Sequence, residues 1–128
     1  DDATPMYVAA LTGDIGLLEA LVNKGANPDD GGDAGEGPLH AAIAEGHMEA
    51  AKFLVEKGAD VNLKNKRSGR TPLHFLASYS DDKGLAELMI ARGAEVDARD
   101  NEGYTPLHYA LSRGNLAVAE VLRSHGGR

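Results

Sequence analysis

Apolar residues along the chain fall into short helical blocks separated by glycine. Ile15, Leu17, Leu18, Leu21 and Val22 follow the i, i+3, i+4, i+7 spacing that gives a helix one wide buried face. The same face returns in Met48, Ala51, Phe53, Leu54 and Val55, and again in Leu116, Val118, Val121 and Leu122. Asp14, His47 and Asn115 stand at the capping positions of these blocks, each preceded by a turn glycine, and Gly25, Gly58 and Gly126 close them. Ahead of each block a shorter helix is expected, in the first case from Thr4 through about Leu11. Each starts with a version of one tetrad, cleanest in Thr71-Pro72-Leu73-His74. Its counterparts are Thr4-Pro5-Met6-Tyr7, Gly37-Pro38-Leu39-His40 and Thr105-Pro106-Leu107-His108, at intervals of 33, 34 and 34 residues.

The tetrad is physically legible. The Thr hydroxyl can accept from an unpaired first-turn N–H, and Pro has no N–H to leave unpaired and a φ suited to helix. Leu points into the stack. His can hydrogen-bond through both ring nitrogens, to the Thr hydroxyl and to the backbone of a neighbouring loop, and so acts as a strut. A fixed period in this range predicts stacked two-helix units, since no single pair can bury its own apolar face. The chain reads as one domain, residues 1–128, with units over approximately 4–36, 37–70, 71–104 and 105–128.

The third unit breaks the pattern. Counting back from Gly93 places the cap at Asp82, which leaves Ser78-Tyr79-Ser80-Asp81 one residue longer than its counterparts and without a turn glycine. A bulged turn is expected there. The preceding loop, Lys64 to Arg70, is also one residue longer. Other departures are Met6-Tyr7 for Leu-His, Pro28 where Val61 and Val96 stand later, and Gly37, which removes a hydroxyl cap. The glycine-rich stretch from Asp29 to Glu36 is expected to be the most mobile loop.

Composition changes this picture in a few respects. Hydrophobic residues make up 42% of the chain but aromatic residues only 5%, with no Trp, so the core is expected to be closely packed Ala and Leu. A net charge of -7 is the wrong sign for gripping a phosphate backbone, and it equally disfavours an anionic membrane surface. No apolar run approaches the ~20 residues that span a bilayer. Nucleic acid and membrane are therefore set aside as partners. Without cysteine there is no disulfide, thiolate metal site or thiol nucleophile. The opening Asp1-Asp2, with no initiator Met, reads as a processed form or an excised fragment. A cytoplasmic address is favoured, with an exported form compatible with that N-terminus.

The tetrads, Ala9-Ala10 and Ala41-Ala42 after them, Gly46-His47, and the terminators Gly58-Ala59-Asp60-Val61-Asn62 and Gly93-Ala94-Glu95-Val96-Asp97 together resemble the ankyrin repeat family over essentially the whole chain. The tetratricopeptide repeat shares a period of ~34 but wants a Trp and a Leu-Gly pair that are absent here. The resemblance implies an all-α repeat solenoid of four stacked helix-turn-helix units, with β-hairpin loops projecting as fingers. It also implies a binding surface on one concave side, made of finger tips and outer positions of the first helices. On the helices these positions are Leu11, Thr12, Ala44, Glu45, Ser78, Tyr79, Ser112 and Arg113. On the fingers they are Asp29, Asp30, Asp33 and Glu36; then Lys66, Arg67 and Arg70; then Asn101, Glu102 and Tyr104. The first finger is acidic, the second basic, and the third pairs a carboxylate with an aromatic. Such a groove favours a partner of complementary charge. Tyr79 and Tyr104 are expected outside the core, whereas Phe75 and Tyr109, one place after the tetrad His, are expected within it.

Other chemistry is weaker. Stacked units would hold His40, His74 and His108 roughly 8 to 10 Å apart, too far to share a zinc ion. The Asp29–Glu36 loop has the composition of a calcium loop without EF-hand spacing. In animal ankyrin proteins the Asn of the terminator can be hydroxylated, and Asn62 stands there. No catalytic grouping, metal site or cofactor is expected. The resulting expectation is a non-enzymatic scaffold that binds a protein or peptide. The alternative is a spacer or regulatory segment of a larger enzyme or effector, suggested by Val118, Ala119 and Val121, which resemble an internal unit more than a polar cap. A monomer is expected, with weak self-association through exposed ends.

Overall fold

The computed structural model describes residues 3–128, so Asp1 and Asp2, with which the processed or excised reading began, lie outside the described residues. Eight α-helices are described, in four pairs: α1 (Pro5–Thr12) with α2 (Ile15–Asn23), α3 (Pro38–Ala44) with α4 (Met48–Glu56), α5 (Pro72–Tyr79) with α6 (Lys83–Ala91), and α7 (Pro106–Arg113) with α8 (Leu116–Ser124). The first helices stack as α1, α3, α5, α7, and the second helices as α2, α4, α6, α8, which makes a two-layer solenoid.

Helix starts follow the tetrads. Thr4 Oγ1 accepts from Tyr7 N at 3.1 Å, and Thr71 and Thr105 accept from the His74 and His108 amides at 3.4 Å, each with Pro at the next position. Asp14 and Asp82 cap the second helices through Leu17 N and Leu85 N, both at 3.0 Å. At Gly37 the missing side chain is accounted for by packing: a Cβ there would lie 2.7 Å from Leu63 Cδ2.

The third unit bulges as its spacing predicts. α5 ends at Tyr79 without a left-handed glycine, and Ser80 runs extended at φ −151, ψ 154. Ser80 Oγ accepts from Asp82 N at 3.1 Å, and Asp81 Oδ1 reaches the next unit to accept from Val118 N at 3.0 Å. The extra residue thus makes an inter-unit bond.

Leu18, Ile43, Leu54, Leu73, Leu76, Met89 and Leu122 are fully buried, spaced by Ala9, Ala10, Ala42, Ala51, Ala77, Ala86 and Ala110. Phe75 and Tyr109 are buried with them. Val118, Ala119 and Val121 are buried too, so they are not an uncovered end as their sequence suggested; in α8 it is Leu116 that is exposed. Small residues let the helix layers approach, and this core is what their composition dictates.

The loops are closed turns, and no strand occurs among the described residues. The second finger closes through Asn65 N to Arg70 O at 2.8 Å and the third through Asp100 N to Tyr104 O at 3.0 Å, while the first holds a single 3₁₀ turn, Gly32–Ala34. Gly69 N to Asn65 O at 2.8 Å and Gly103 N to Asp100 O at 2.9 Å add one turn bond to each of the last two fingers, and these bonds do not extend into a ladder. The fingers instead bond to each other, through Lys66 N to Gly35 O at 2.7 Å and Asn101 N to Ser68 O at 2.9 Å. Gly69 sits at this junction with φ 72, and a Cβ on it would lie 2.3 Å from Asn101 Oδ1. Gly69→Ala is expected to lower stability by about 1 kcal/mol or more, read as a shifted urea midpoint with unchanged slope.

A second set of links recurs at the finger bases. Asp29 Oδ1 accepts from Asp60 N, Asn62 Oδ1 from Glu95 N, and Asp97 Oδ1 from Arg128 N, each at 2.8 Å. Each side chain clasps the backbone of the unit that follows. Asn62 Nδ2 also donates to Gly93 O at 2.9 Å, so both ends of this side chain are engaged in the clasp.

Candidate interaction surface

The tetrad histidines divide into two kinds. His40 Nδ1 accepts from Gly37 N at 3.2 Å while Nε2 meets Arg70 O at 3.1 Å; His74 Nδ1 accepts from Thr71 N at 3.0 Å while Nε2 meets Tyr104 O at 2.8 Å. Both are struts between a helix start and the next finger. Burial drives the His40 imidazole down to about 4, against the opposing pull of the Arg70 and Leu63 backbone, and lowers His74 in the same way. His108 departs from this role. It is exposed and stacks flat on Tyr104 with ring centroids 3.9 Å apart. Tyr7, in the same tetrad place, donates its hydroxyl to Glu36 Oε2 at 3.0 Å.

The third finger is organised by Asp100. Its Oδ1 accepts from Glu102 N at 3.0 Å and Tyr104 N at 2.9 Å; its Oδ2 accepts from the Tyr109 hydroxyl and from Arg70 Nε at 3.4 Å. Burial alone would raise this carboxyl, but the hydrogen bonds from Tyr109, the two amides and Arg70 outweigh it and hold it below the usual carboxylate value. Burial and the bond to Asp100 push the Tyr109 phenol up to about 12. The Arg70 guanidinium lies over the Tyr109 ring, 4.6 Å from its centroid, with Glu102 3.9 Å away.

This geometry sorts the positions expected at the surface. Ser78 is buried, its Oγ without a partner among the described residues, and so presents nothing to a ligand. Arg70 is taken up by Asp100 and Tyr109 and is not a free basic tip. Glu36 is held by Tyr7 and by Asn65 Nδ2 at 2.7 Å, and Asp29 is half-buried in its clasp. Leu11, Thr12, Glu45, Tyr79, Ser112 and Arg113 are exposed on the first helices, and Asp30, Asp33, Lys66, Arg67, Asn101, Glu102 and Tyr104 on the fingers. Ala44 is half-buried.

Within this set one row stands out. Thr12, Glu45, Tyr79 and Arg113 occupy the same place in four successive units, at the end of α1, α3, α5 and α7, and all are exposed. They carry a hydroxyl, a carboxylate, a phenol and a guanidinium. One turn earlier the same helices carry Ala9, Ala42, Leu76 and Ala110, all buried. Sequence reasoning missed the Asp100–Arg70–Tyr109 grouping, since its members lie in different units. The residue-by-residue match between Asn65 and Asp100 at the finger starts was the available signal.

The other chemistries considered have limited geometric support. Among the described residues no three His, Asp or Glu side chains converge on a point where a metal could sit, the acidic first finger included, and no helix is long and apolar enough to cross a membrane. The first finger borders a cavity of about 270 Å³ together with Lys64 and Lys66 of the second.

A family model described as ankyrin repeats, in three copies, matches residues 1–65 and 58–128. Among curated relatives, a probable 26S proteasome regulatory subunit, p28, of Saccharomyces cerevisiae is 34% identical over 122 residues, spanning 93% of this chain and 53% of that protein. The nuclear factor NF-kappa-B p105 subunit of Mus musculus is 34% identical over 125 residues, 94% of this chain and 13% of its own length. Human Rabankyrin-5 is 35% identical over 116 residues, 83% of this chain and 10% of its own length. The chain thus spans about half of the yeast relative and a small part of the others.

Proposed function

The chain belongs to the ankyrin repeat family, and from that premise we propose that it is a non-enzymatic scaffold binding a protein or peptide partner along the first-helix edge and finger tips. The row Thr12, Glu45, Tyr79, Arg113 carries this reading. Four equivalent backbone positions hold four unlike side chains, all exposed, on helices whose inner positions are nearly uniform. Packing explains the uniform row and places no demand on the varied one, which is free to read a partner. Tyr and Arg are the side chains that most often dominate interface energy, and Tyr79 is 52% exposed.

The partner this row suits has an acidic group opposite Arg113, an apolar or aromatic side chain against Tyr79, and a cation opposite Glu45. Tyr104 and His108 extend the aromatic surface at one end. A regulatory subunit among the relatives accords with a binding role, since folds of this kind host many partners.

A second reading, a regulatory segment within a larger enzyme, is favoured by two relatives in which the matching region is small: a glycerophosphocholine phosphodiesterase of Schizosaccharomyces pombe, 11% covered, and an E3 ubiquitin-protein ligase of Drosophila melanogaster, 4% covered.

The test uses a peptide selected on the immobilised chain from a random library. Replacing Glu45, Tyr79 and Arg113 together by Ala is expected to weaken binding by about a hundredfold or more, with helicity by circular dichroism unchanged because all three are exposed. Undiminished affinity would reject the assigned edge.

A further inference from the structure

The phenols of the chain stand in unlike settings. Tyr109 is buried and donates its hydroxyl to Asp100, and Tyr7 donates to Glu36 Oε2. Tyr104 exposes its ring, but its backbone is tied on both sides: the amide donates to Asp100 Oδ1, the carbonyl accepts from Asp100 N and meets His74 Nε2, and α7 starts two residues on at Pro106. Tyr79 is 52% exposed, and its ring rests edge-on against Phe75 with centroids 5.8 Å apart.

The turn after Tyr79 also differs from its counterparts. Gly13, Gly46 and Gly114 reverse the chain at the ends of the other first helices, with φ of 76, 80 and 74. In the third unit Ser80 runs extended instead, and the inserted residue carries the chain through Asp81 before the Asp82 cap opens α6. A protein kinase takes its acceptor from chain laid out in extended form along its cleft, and charge around the acceptor decides which kinase fits. Tyr79 offers a phenol at the head of such a segment. Asp81 and Asp82 lie two and three residues on, and Glu45 holds the matching place in the preceding unit.

We propose that Tyr79 is the acceptor for a tyrosine kinase that favours acidic surroundings, and that Arg113 holds the phosphate once it is attached. In the transfer the phenol oxygen attacks the γ-phosphorus of Mg²⁺-ATP, the bond from that phosphorus to the ADP oxygen breaks, and the phenol proton passes to the carboxylate base of the kinase. The product carries a charge of about −1.5 to −2 and three acceptor oxygens. Glu45, Asp81 and Asp82 repel it. Arg113 stands at the matching place one unit on, roughly 8 to 10 Å along the stack, a gap that two long side chains can close. Lys83, exposed at the start of α6, is the competing cation. A guanidinium meets phosphate through two parallel hydrogen bonds and an ammonium only as a point charge, which favours Arg113. The pair takes Tyr79 and Arg113 out of the exposed row together, so modification switches off binding along that edge. This consequence rests on the function proposed above, whereas the acceptor site and its pairing do not.

The test incubates the folded chain with Mg²⁺-ATP and the catalytic domain of a tyrosine kinase selective for acidic sequences, whose competence is checked on a synthetic peptide of residues 74–84. One phosphate is expected, placed on Tyr79 by peptide mass spectrometry, with an initial rate about tenfold or more above that of any other tyrosine, because the others must first open locally. Tyr79→Phe keeps the ring on Phe75 and is expected to reduce incorporation to background with helicity unchanged. In the phosphorylated chain, phosphorus NMR follows the second ionisation of the phosphate. It is expected to move up by about half a pH unit in Arg113→Ala and to stay in place in Lys83→Ala. Labelling of the peptide but not of the folded chain, a comparable rate at Tyr7, Tyr104 or Tyr109, or a phosphate that responds to Lys83→Ala and not to Arg113→Ala would overturn the proposal. No arm uses a binding partner, so failure here is distinct from failure of the assigned edge.

Discussion

Replacing Asp100 by Ala is expected to lower the free energy of unfolding by about 2–4 kcal/mol, a large share of the roughly 5–15 kcal/mol typical of a small domain. Four donors lose their acceptor at once: the Tyr109 hydroxyl, Arg70 Nε, and the amides of Glu102 and Tyr104. Arg70 cannot shed its proton to relieve the loss, although its side chain, 27% exposed, recovers part of the interaction from water. Asp100→Asn discriminates between the parts. Its carbonyl oxygen still serves the two amides, and its NH₂ can donate to the Tyr109 oxygen, so the loss falls on Arg70 and is expected to be about 1–3 kcal/mol. Urea titration of the three chains measures both values. Equal stability of all three would show that the third finger is held by its backbone alone.

Acid is expected to destabilise the stack in two stages, the first carried by histidine. His40 titrates near 4 in the folded chain against 6.5 when unfolded, because burial disfavours the imidazolium. Between those values the unfolded chain binds more protons, so stability falls as the pH falls from 6.5 to about 4. At about 1.4 kcal/mol per unit, this fully buried group accounts for roughly 3 kcal/mol. The geometry gives the reason. Nδ1 accepts from Gly37 N, and a proton on that nitrogen would turn acceptor into a second donor facing the same N–H. His74 is shifted in the same direction and adds to the effect. Asp100 is held below 3.8, so its contribution persists through the histidine stage and is lost only at still lower pH. His40→Gln, which can keep one acceptor and one donor without titrating, is expected to flatten much of the first stage. A urea midpoint that does not change between pH 6.5 and 4 in the parent chain would contradict this account.

What could be read in the sequence was what local chemistry decides. Thr-Pro starts, Asp14 and Asp82 caps and the terminator glycines each act within one turn of helix, and the displaced cap at Asp82 exposed the extra residue before it. The missed features depend on residues brought together from a neighbouring unit. Arg70 reads as a free cation until Asp100 and Tyr109 arrive from the two units that follow, and Ser78 reads as surface until the stack closes over it. Gly37 reads as a lost cap, although Leu63 occupies the space its side chain would need. The fingers carry no strand for another reason: turn bonds about a single residue and no alternation of apolar residues do not sustain a ladder.

The clasps from Asp29, Asn62 and Asp97 have an evolutionary corollary. All three catch an amide in the same relation to the following unit, and Asn serves as well as Asp because only an oxygen acceptor is required. A gene duplication or loss that moved the chain by one whole period would find a matching donor waiting at the new seam. Array length can therefore drift in steps while the bonding at every seam stays the same.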